Sequence, residues 1–480
     1  MYHISDIKKF LRCKLLYFYG KDENNAFLPY LRSDDNIIDL LKGYLDINDY
    51  FEGLRNDQNN HFFDNKDKYE WFIRPRFVDG ELRINIPIMH KIADKYDLYF
   101  VYYSSQLKEI DYLTYRISYR LLSKLNIDVN EIYLVYFNED YINSGDLDCK
   151  ELFKCINEIK DIKIIDYVKQ NEYDYDKILK DMSNTDYLNI KPVKNRYCNL
   201  YGKCPYYDKC FVDQMNLKED SILHLVSSQH KNNMYDEGIE QLKDVDIERL
   251  EGNKVQYAQI MASKNGGLFV DKIALKHFLD KLSSRPISFI DFEWDRYLVP
   301  KYKNMKPMDA LCFEFALYYI DENSEMHHYT FVSKGDCRLE FVETLIDKLP
   351  KSGPILAYNA VGAECLRLKE LAQTFPEYHD ELMNIIDRFY DLADPFMEGL
   401  VYDIRMQGNY SLKKLVDICS DYSYDNLNID DGMQAVFNWR NFDKDDNDEV
   451  IQDLKQYCAL DAYGLFLVYK WLIKLQIEAK

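Results

Sequence analysis

Two acidic residues stand two positions apart in the stretch SRPISFIDFEWDRYL, Asp291 and Glu293. The apolar run 287–290 before them predicts a strand that ends near the acids. Because side chains alternate between the two faces of a strand, both carboxylates project to the same side. Two carboxylates on one face repel each other unless a cation lies between them. The pair therefore indicates either a cation site or a solvated strand end, and residues elsewhere in the chain decide between these readings.

Further acidic residues recur at the ends of predicted elements. Glu364 lies in the first turn of a predicted helix, Asp391 lies at another strand end, and Tyr457 and Asp461 lie four apart, on one face of a helix. Carboxylates from a strand and two helices can hold two Mg²⁺ or Mn²⁺ ions about 4 Å apart, one activating water and one stabilising the leaving oxygen of a phosphodiester. Mg²⁺ prefers oxygen ligands and keeps several waters, which suits a site without His or Cys. A tyrosine one helical turn before Asp461 can orient the attacking water.

The elements that must position these residues follow in a regular order. From residue 287 onward the hydrophobic patterns predict three strands, a helix, a strand and a helix, then a further α/β stretch and a long final helix. The segments are ISFIDFE, CFEFALYYI, MHHYTFVS, RLEFVETLIDKL, PILAYN, AECLRLKELAQ and, at the end, the helix that carries QYCALDAYG.

The order D-x-E, Y-N-x-x-G-x-E and Y-x-x-x-D on this β-β-β-α-β-α frame resembles the DEDD-type exonucleases of the ribonuclease-H-like (DnaQ-like) superfamily. Tyr457 points to the DEDDy variant of that group. The resemblance implies a ribonuclease-H-like domain with a mixed central sheet and metal-dependent 3′–5′ exonuclease activity. It implies two metal ions held by Asp291, Glu293, Glu364 and Asp461. The second motif departs from the superfamily, whose Asp position is Ala363 here, and this leaves the third acid open between Glu364 and Asp391.

Three cysteines interrupt the middle of the chain at even spacing, Cys198, Cys204 and Cys210 in YCNLYGKCPYYDKCF. They are either buried free thiols or ligands of a metal site, and their polar, turn-forming neighbours favour the metal site. Such a site needs a fourth ligand, which Cys13 can supply. The chain has eleven cysteines, an odd number, which argues against a framework of disulfides.

One N-terminal cysteine paired with three cysteines after an α/β core resembles the iron–sulfur nucleases of the RecB-like PD-(D/E)XK group. That resemblance implies a [4Fe-4S] cluster on Cys13, Cys198, Cys204 and Cys210, with zinc on the same thiolates as the alternative. More closely, nearly the whole chain resembles an uncharacterised bacterial family that joins such a module to the exonuclease domain. The segments that carry this closer resemblance are FIDFE, YNAVGAECLRLKELA, GNYSLKKL and YCALDAYG.

The catalytic positions of the PD-(D/E)XK group are altered in this chain. Asn85 stands where the resemblance implies an Asp, Phe100 and Tyr102 stand for the Glu and Lys, and Ser118 or Tyr119 stands for the Gln. Without those carboxylates the N-terminal module cannot hold a divalent cation, so we expect it to be catalytically dead and to serve binding or scaffolding.

Arginines of the N-terminal module offer charge for such binding. Arg74, Arg76 and Arg83 lie close to one another in the sequence, near several aromatic residues. They are either contacts for phosphates and bases or ordinary surface residues.

The whole chain sets further bounds. Its 480 residues predict two or three domains, which we place at 1–212, a helical connector at 213–284, and 285–480. The chain has no apolar run of 18 residues and no leader pattern, which predicts a soluble, cytoplasmic protein without a membrane partner. The net charge of −21 repels nucleic acid on average, so such a partner, DNA rather than RNA, requires local basic patches and bound metal.

The sequence thus predicts an α/β, multidomain nuclease with a degenerate PD-(D/E)XK-like domain and a ribonuclease-H-like exonuclease domain. The alternative function is a non-catalytic nucleic-acid-binding or redox-sensing module in which both sites are relics. One shared pocket for the acids favours the enzyme, whereas acids dispersed over the surface favour the alternative.

Overall fold

The chain forms two compact units in the computed structural model. The N-terminal unit comprises residues 1–210 and 297–309, and the C-terminal unit comprises 211–296 and 310–480. The structure describes residues 1–21, 31–32, 36–107, 111–198, 204–213, 215, 217–250, 252–424, 427–429, 431–444 and 448–478. Both units are mixed α/β and the chain contains several sheets.

The N-terminal unit is built around a mixed sheet with the strand order β2-β3-β6-β7-β8-β9. Strands β7 and β8 are parallel, as are β2 and β3, whereas the other neighbours are antiparallel. The strands are β1 (Leu31–Arg32), β2 (Tyr50–Glu52), β3 (Trp71–Ile73), β4 (Arg76–Asp79), β5 (Leu82–Asn85), β6 (Ile88–Ile92), β7 (Lys95–Tyr102), β8 (Val129–Phe137), β9 (Phe153–Ile156), β10 (Glu158–Ile159) and β11 (Ile162–Lys163). The helices are α1 (Ile4–Arg12), α2 (Lys14–Tyr19), α3 (Ile37–Tyr44), α4 (Asn59–Phe63), α5 (Tyr112–Lys124), α6 (Cys149–Leu152), α7 (Ile164–Gln170) and α8 (Tyr175–Asn184).

The apolar residues of DIKKFLRCKLLYFYG recur at helical spacing and predict one helix that ends at Gly20. The structure differs from this prediction. Cys13 adopts an extended conformation, with φ −164° and ψ 124°, and separates α1 from α2. The apolar residues of both helices still reach the core, because Ile7, Phe10 and Tyr17 are buried in one cluster. The break places the Cys13 side chain at a helix junction. The segment 22–30 that was also expected to be helical lies outside the described residues.

The C-terminal unit has a five-strand array in the order β15-β14-β13-β16-β17. Strands β13, β14 and β15 are antiparallel neighbours, whereas β16 and β17 run parallel to β13. The strands of this unit are β12 (Leu268–Val270), β13 (Ile287–Tyr297), β14 (Ala310–Ile320), β15 (Met326–Val332), β16 (Ile355–Ala357), β17 (Phe389–Asp391) and β18 (Val401–Asp403). The helices are α9 (Lys231–Asp236), α10 (Lys254–Lys264), α11 (Lys272–Asp280), α12 (Arg338–Lys348), α13 (Glu364–Thr374), α14 (His379–Ile386), α15 (Asp394–Met397), α16 (Leu412–Cys419), α17 (Gly432–Lys444) and α18 (Asp448–Glu478).

Short 3₁₀ helices and one π-helical turn join these elements. The 3₁₀ helices are Tyr187–Asn189, Arg196–Cys198, Ile222–His224, Leu242–Asp244, Ile247–Arg249, Pro376–Tyr378 and Ile404–Met406, and the π-helical turn is Lys209–Asp213. Within the described part of the chain, no helix combines the length and the apolar character needed to cross a lipid bilayer.

The boundaries of the units differ from the three parts expected from the sequence. The expected connector 213–284 belongs to the C-terminal unit, because β12 pairs antiparallel with β18 and so ties this segment to residues far along the chain. Residues 297–309 belong to the N-terminal unit and not to the C-terminal part 285–480 in which the sequence placed them. Leu298 and Val299 pack in a core cluster of the N-terminal unit, and Asn143 donates a hydrogen bond to the Pro300 carbonyl over 2.8 Å.

Candidate metal centre

The two faces of β13 have different neighbours. Ile290 and Phe292 project into the apolar cluster that also contains residues of α12 and α13. Phe289, on the opposite face, packs against Phe466 and Tyr469 of α18, with ring centroids 5.6 and 5.5 Å apart. Strand alternation places Asp291 and Glu293 on this second face, toward α18.

β13 does not end at the two acids as the sequence suggested. It continues to Tyr297 because the equally long β14 pairs with it, with a bulge between Glu293 and Trp294. On its other side, however, β16 pairs only with Ser288 and Phe289. Asp291 and Glu293 therefore lie beyond the part of β13 that pairs with β16.

Helix α18 completes a carboxylate group. A ligand oxygen of Asp461 lies within 4.8 Å of ligand oxygens of both Asp291 and Glu293. Asp461 is buried, and the other two acids are partly buried. Residues 170 positions apart thus converge on a space of the size that one cation needs. We name Asp291, Glu293 and Asp461 the acid triad.

Burial and mutual repulsion disfavour the charged forms of the acid triad. The pKa of Asp291 and that of Glu293 lie well above their ordinary values, first because both are withdrawn from water and then because the Asp461 charge is close. The pKa of Asp461 is raised by burial as well. A divalent cation removes this repulsion, so the triad is better suited to hold a cation than to stand alone.

Glu364 is the first residue of α13 and is only 2% exposed. Its pKa is raised to about 8, chiefly by burial, and backbone N–H groups of Glu364 and Phe292 oppose the shift. Its Oε2 atom has no hydrogen-bond partner among the described residues. Its charge also raises the pKa of Asp291 and Glu293. A buried carboxylate oxygen without a partner close to three other acids is suited to a metal ligand.

Asp391, the other candidate for the third acid, has different surroundings. Its Oδ1 accepts hydrogen bonds from the backbone N–H groups of Asn359 and Ala393, each over 2.9 Å. Asp391 thus holds together the ends of β16 and β17, which is a structural role for one of its oxygens. Its charge adds to the raised pKa of Glu364, so it lies near the group.

Two tyrosines flank Asp461. Tyr457, the residue predicted from the sequence, is buried one turn earlier on α18, and its hydroxyl lowers the pKa of Asp461 by hydrogen bonding. Tyr424, which the sequence analysis missed, donates a hydrogen bond to Asp461 Oδ1 over 2.6 Å. Burial and the nearby carboxylates raise the pKa of both hydroxyls far above the ordinary value, so both remain protonated donors at neutral pH.

A cation stands beside the tyrosines. Lys413 Nζ lies 5.0 and 4.9 Å from the ring centroids of Tyr424 and Tyr457, and its charge lowers the pKa of Glu293 and Asp461. Lys413 belongs to α16, which approaches α18 closely at Gly464. A Cβ atom at that glycine would stand 2.9 Å from Val416. The stretch GNYSLKKL contains Lys413, but its sequence gave no indication that the lysine faces the acids.

The sequence analysis also missed two buried groups next to the acid triad. Glu314 of β14 pairs with Glu293 in the antiparallel register, is fully buried, and neither of its oxygens has a hydrogen-bond partner in the described part of the chain. Its charge contributes to the raised pKa of Glu293. Cys458, also fully buried, has its thiol 3.5 Å from Asp291 Oδ2. Glu314 is the one charged residue in the apolar run CFEFAL, and this isolated charge is the feature of the sequence from which a buried functional acid could have been predicted.

The donor set fits a hard divalent cation. The converging ligand atoms of the triad are carboxylate oxygens, which Mg²⁺ and Mn²⁺ prefer. Glu364 lies outside this 4.8 Å group but close enough for its charge to act on Asp291 and Glu293. The free Oε2 of Glu364 and the repulsion within the triad are both explained by a positive charge at this place. The residues present therefore fit the metal that the sequence predicted.

A second acidic group lies in the turn between β14 and β15, at Asp321, Glu325 and His327. Asp321 accepts hydrogen bonds from the backbone of Asn323 and Glu325, and His327 lies 3.1 Å from it. These bonds account for the group as part of the turn.

The four predicted cluster cysteines belong to the N-terminal unit. Burial raises the pKa of the Cys210 thiol to about 12, and the charges of Cys13, Cys204 and Cys198 add to the shift. The Cys204 backbone N–H donates to the Cys198 carbonyl over 2.8 Å. Among the described residues, these four sulfur atoms do not form a group within 4.8 Å of one another. A single zinc ion needs sulfurs closer than this, whereas a [4Fe-4S] cluster holds them farther apart because each thiolate binds a different iron.

The positions of the N-terminal unit at which the PD-(D/E)XK residues are replaced do not form an acidic site. Phe100 is buried against Tyr115, with ring centroids 4.8 Å apart, and Tyr102 is partly buried. Asn85 is exposed and Ser118 is fully buried. These side chains supply no carboxylate for a divalent cation.

Comparison with known proteins gives one match. The model of a family described as a domain of unknown function (DUF2779) matches residues 288–411, which is 124 of the 480 residues. The match spans Asp291, Glu293, Glu364 and Asp391 and stops before Tyr457 and Asp461. The searches of curated proteins and of solved structures returned no significant match.

Proposed function

We propose that the C-terminal unit is a metal-dependent 3′–5′ exonuclease of the ribonuclease-H-like class that hydrolyses nucleic-acid phosphodiesters. The observation that carries this proposal is the convergence of Asp291, Glu293 and Asp461 within 4.8 Å, with Glu364 buried beside them. Acids dispersed over the surface would have favoured the relic alternative. Their convergence supports the enzyme.

The order of elements supports the proposed fold. β13, β14, β15, α12, β16 and α13 follow one another along the chain, which is the frame on which the resemblance to DEDD-type exonucleases rests. The sheet is mixed, as that resemblance implied. The acids come from the central strand, from the helix after β16 and from the last helix.

In this proposal Asp291, Glu293, Glu364 and Asp461 hold the divalent cations. Cations held by these residues would supply water activation and stabilisation of the charge that develops on the phosphodiester oxygens. Tyr424 fixes the orientation of Asp461 through its 2.6 Å hydrogen bond. The Tyr457 hydroxyl, which also hydrogen-bonds Asp461, accepts a hydrogen bond from the attacking water and so orients it. Lys413 supplies a fixed positive charge that favours an anionic phosphate near the acids.

The direct test of the proposal uses oligonucleotides labelled at the 5′ or the 3′ end, with Mg²⁺ or Mn²⁺. We expect a ladder of shortened products from the 5′-labelled strand and early release of a single labelled nucleotide from the 3′-labelled strand. Single- and double-stranded DNA and RNA compared in one series define the substrate, for which we propose DNA. Shortening from the 5′ end, or no metal-dependent hydrolysis of any substrate, would contradict the proposal.

Tyr457→Phe is expected to slow hydrolysis by about 10²-fold and to leave divalent-cation affinity unchanged, because the hydroxyl positions water while the carboxylates carry the cation. Asp461→Asn is expected to be more damaging, since it removes a ligand. Single-turnover kinetics and titration calorimetry with Mg²⁺ measure the two effects. Tyr424→Phe is the comparison variant, since its hydroxyl bonds Asp461. Full activity of Tyr457→Phe would exclude the proposed water-positioning role.

We propose further that the N-terminal unit is a degenerate RecB-like PD-(D/E)XK module that carries a [4Fe-4S] cluster on Cys13, Cys198, Cys204 and Cys210. The charges of these four thiols act on one another, which indicates that the thiols lie close together and supports their binding of one common metal group. The lack of carboxylates at Asn85, Phe100 and Tyr102 supports a binding or scaffolding role for this unit.

Protein purified without oxygen is expected to be brown, with broad absorption near about 400 nm from thiolate-to-iron charge transfer. Cys204→Ala is expected to lose this colour, because it removes one of the four ligands. Cys155→Ala is the matched control. The pKa of the Cys155 thiol is raised by burial alone, without a contribution from the four predicted cluster cysteines. Colourless protein with one zinc per chain would replace the cluster by zinc on the same residues.

A further inference from the structure

Four arginines gather in the N-terminal unit around the hairpin formed by β4 and β5. Phe77, Leu82 and Ile84 of the hairpin are buried in the core. Strand alternation therefore turns Arg76 and Arg83 to the opposite face, where both are partly buried. Arg74 precedes β4, and Arg55 lies in the loop between β2 and α4. We name Arg55, Arg74, Arg76 and Arg83 the arginine group.

The charges of the arginine group are close enough to act on one another. The pKa of Arg76 is lowered, first by burial and then by the charges of Arg74, Arg83 and Arg55. Asp57 is the acid that opposes this shift. Neighbouring guanidinium groups form a region of positive potential in a chain whose net charge is −21.

The hydrogen-bonding capacity of the group is not used up. The Nε atoms of Arg76 and Arg83 are buried and have no acceptor among the residues that the structure describes. Arg83 Nη1 reaches only the Arg55 carbonyl, over 3.4 Å. A buried guanidinium N–H without an acceptor is costly. Both arginine side chains are partly exposed, so an external anion offsets part of this cost at the exposed part of the guanidinium groups and not at the enclosed Nε atoms.

The nearby acids do not neutralise the group. Glu52 lies 3.8 Å from Arg74, and both side chains are well exposed, so this pair is weak. The Asp57 carboxylate accepts from the Leu54 backbone N–H over 2.8 Å and lies 3.1 Å from the His61 ring. Asn85, which pairs with Arg76 across the hairpin, is uncharged.

We infer that the arginine group binds backbone phosphates of a nucleic acid. This inference rests on the proposed function, which supplies the class of ligand, and adds a binding site in the other unit. A guanidinium donates two parallel hydrogen bonds to one phosphate, and its planar fork suits that geometry better than an ammonium does. Contacts of this kind hold the backbone and do not read the base sequence.

The test measures binding of a fluorescent 20-nucleotide single-stranded DNA to the full-length Asp291→Asn protein in EDTA, where hydrolysis is blocked. Arg76→Gln/Arg83→Gln is expected to weaken binding at least about 10-fold. The slope of log affinity against log salt is expected to become shallower by about 1.4, since each phosphate contact with a single strand contributes about 0.7. Arg120→Gln/Lys163→Gln is the matched control. It removes the same charge from two exposed ion pairs of the same unit.

Equal affinities and salt slopes in the two double variants would overturn the inference. Arg76→Lys/Arg83→Lys keeps the charge, so it serves where the glutamine variant fails to fold, and we expect it to bind with intermediate affinity. Inorganic pyrophosphate added as a competitor separates the two phosphate sources. Displacement of DNA only at high competitor concentration supports the polymer backbone, and equal affinity for pyrophosphate would replace it by a free-phosphate site.

Hydrolysis of the small diester bis(4-nitrophenyl) phosphate with Mn²⁺ separates this inference from the proposed function. Its rate is expected to be unchanged in Arg76→Gln/Arg83→Gln and lost in Asp291→Asn. Arginine-dependent DNA binding without any metal-dependent hydrolysis would contradict the exonuclease and leave the arginine site supported. Metal-dependent hydrolysis together with DNA binding that does not depend on the arginines would support the exonuclease and contradict the arginine site.

Discussion

Replacement of Asp291 by alanine is expected to lower Mg²⁺-dependent hydrolysis by more than about 10³-fold. Asp291 lies on the central strand, and its carboxylate is the meeting point of the other acids. The charges of Asp461, Glu293 and Glu364 all raise its pKa. The substitution removes one proposed metal ligand, and this ligand is the one that the other acids surround. Initial rates on 5′-labelled DNA and calorimetric titration with Mg²⁺ measure the two losses.

Three variants control this experiment. Asn85→Ala and Tyr102→Ala change the altered site of the N-terminal unit and are expected to keep wild-type activity, because neither side chain can replace a metal-binding carboxylate. Asp321→Ala removes an aspartate from the exposed acidic group of the same unit as Asp291 and is expected to keep activity as well. Activity that persists in Asp291→Ala and disappears in Tyr102→Ala would assign catalysis to the N-terminal unit.

In the absence of divalent cations, the contribution of Glu364 to the free energy of unfolding is expected to fall as the pH rises from about 5 to 8. The folded-state pKa of Glu364 is about 8, above its ordinary value of 4.5, so the folded state binds the proton more tightly than the unfolded state does. The contribution is complete below the unfolded pKa and is lost as pH rises through the folded pKa. Each such proton gives a slope of about −1.4 kcal/mol per pH unit within that window. The raised pKa values of Asp291, Glu293 and Asp461 act in the same direction.

Chemical denaturation at a series of pH values, with EDTA or with Mg²⁺, measures this effect. Glu364→Gln is expected to flatten the slope in EDTA and to be more stable than wild type at pH 8, because it removes a buried charge. Glu322→Gln, at an exposed position of the same unit, is expected to leave the slope unchanged. Mg²⁺ at 100 times its dissociation constant is expected to add about 2.7 kcal/mol to wild type and much less to Asp291→Ala. A flat wild-type profile in EDTA would contradict the buried acid group.

Several elements followed from local sequence patterns. The sequence also predicts a helix over 112–124, which the structure confirms, since α5 spans Tyr112–Lys124. The turn at Asp79-Gly80 predicted the hairpin of β4 and β5, in which Gly80 has φ +56°. The helix predicted to end at Gly20 was wrong in one respect, since Cys13 is extended and breaks it. Helical spacing continues across Cys13 in the sequence, so a conformation fixed at a single residue left no trace in the pattern.

By itself the sequence determined which functional side chains a few residues apart share one face of a strand or helix. Side-chain alternation along β13 puts Asp291 and Glu293 on one face, and the helical repeat puts Tyr457 and Asp461 on one face of α18, whatever surrounds them. Only the tertiary structure decided that these two faces meet. It also decided that β14 sets Glu314 opposite Glu293, and that α16 brings Lys413 to the tyrosines. The reason is that strand register and helix docking depend on packing summed over residues far apart in the chain, whereas alternation and helical spacing are fixed by backbone geometry within a few residues.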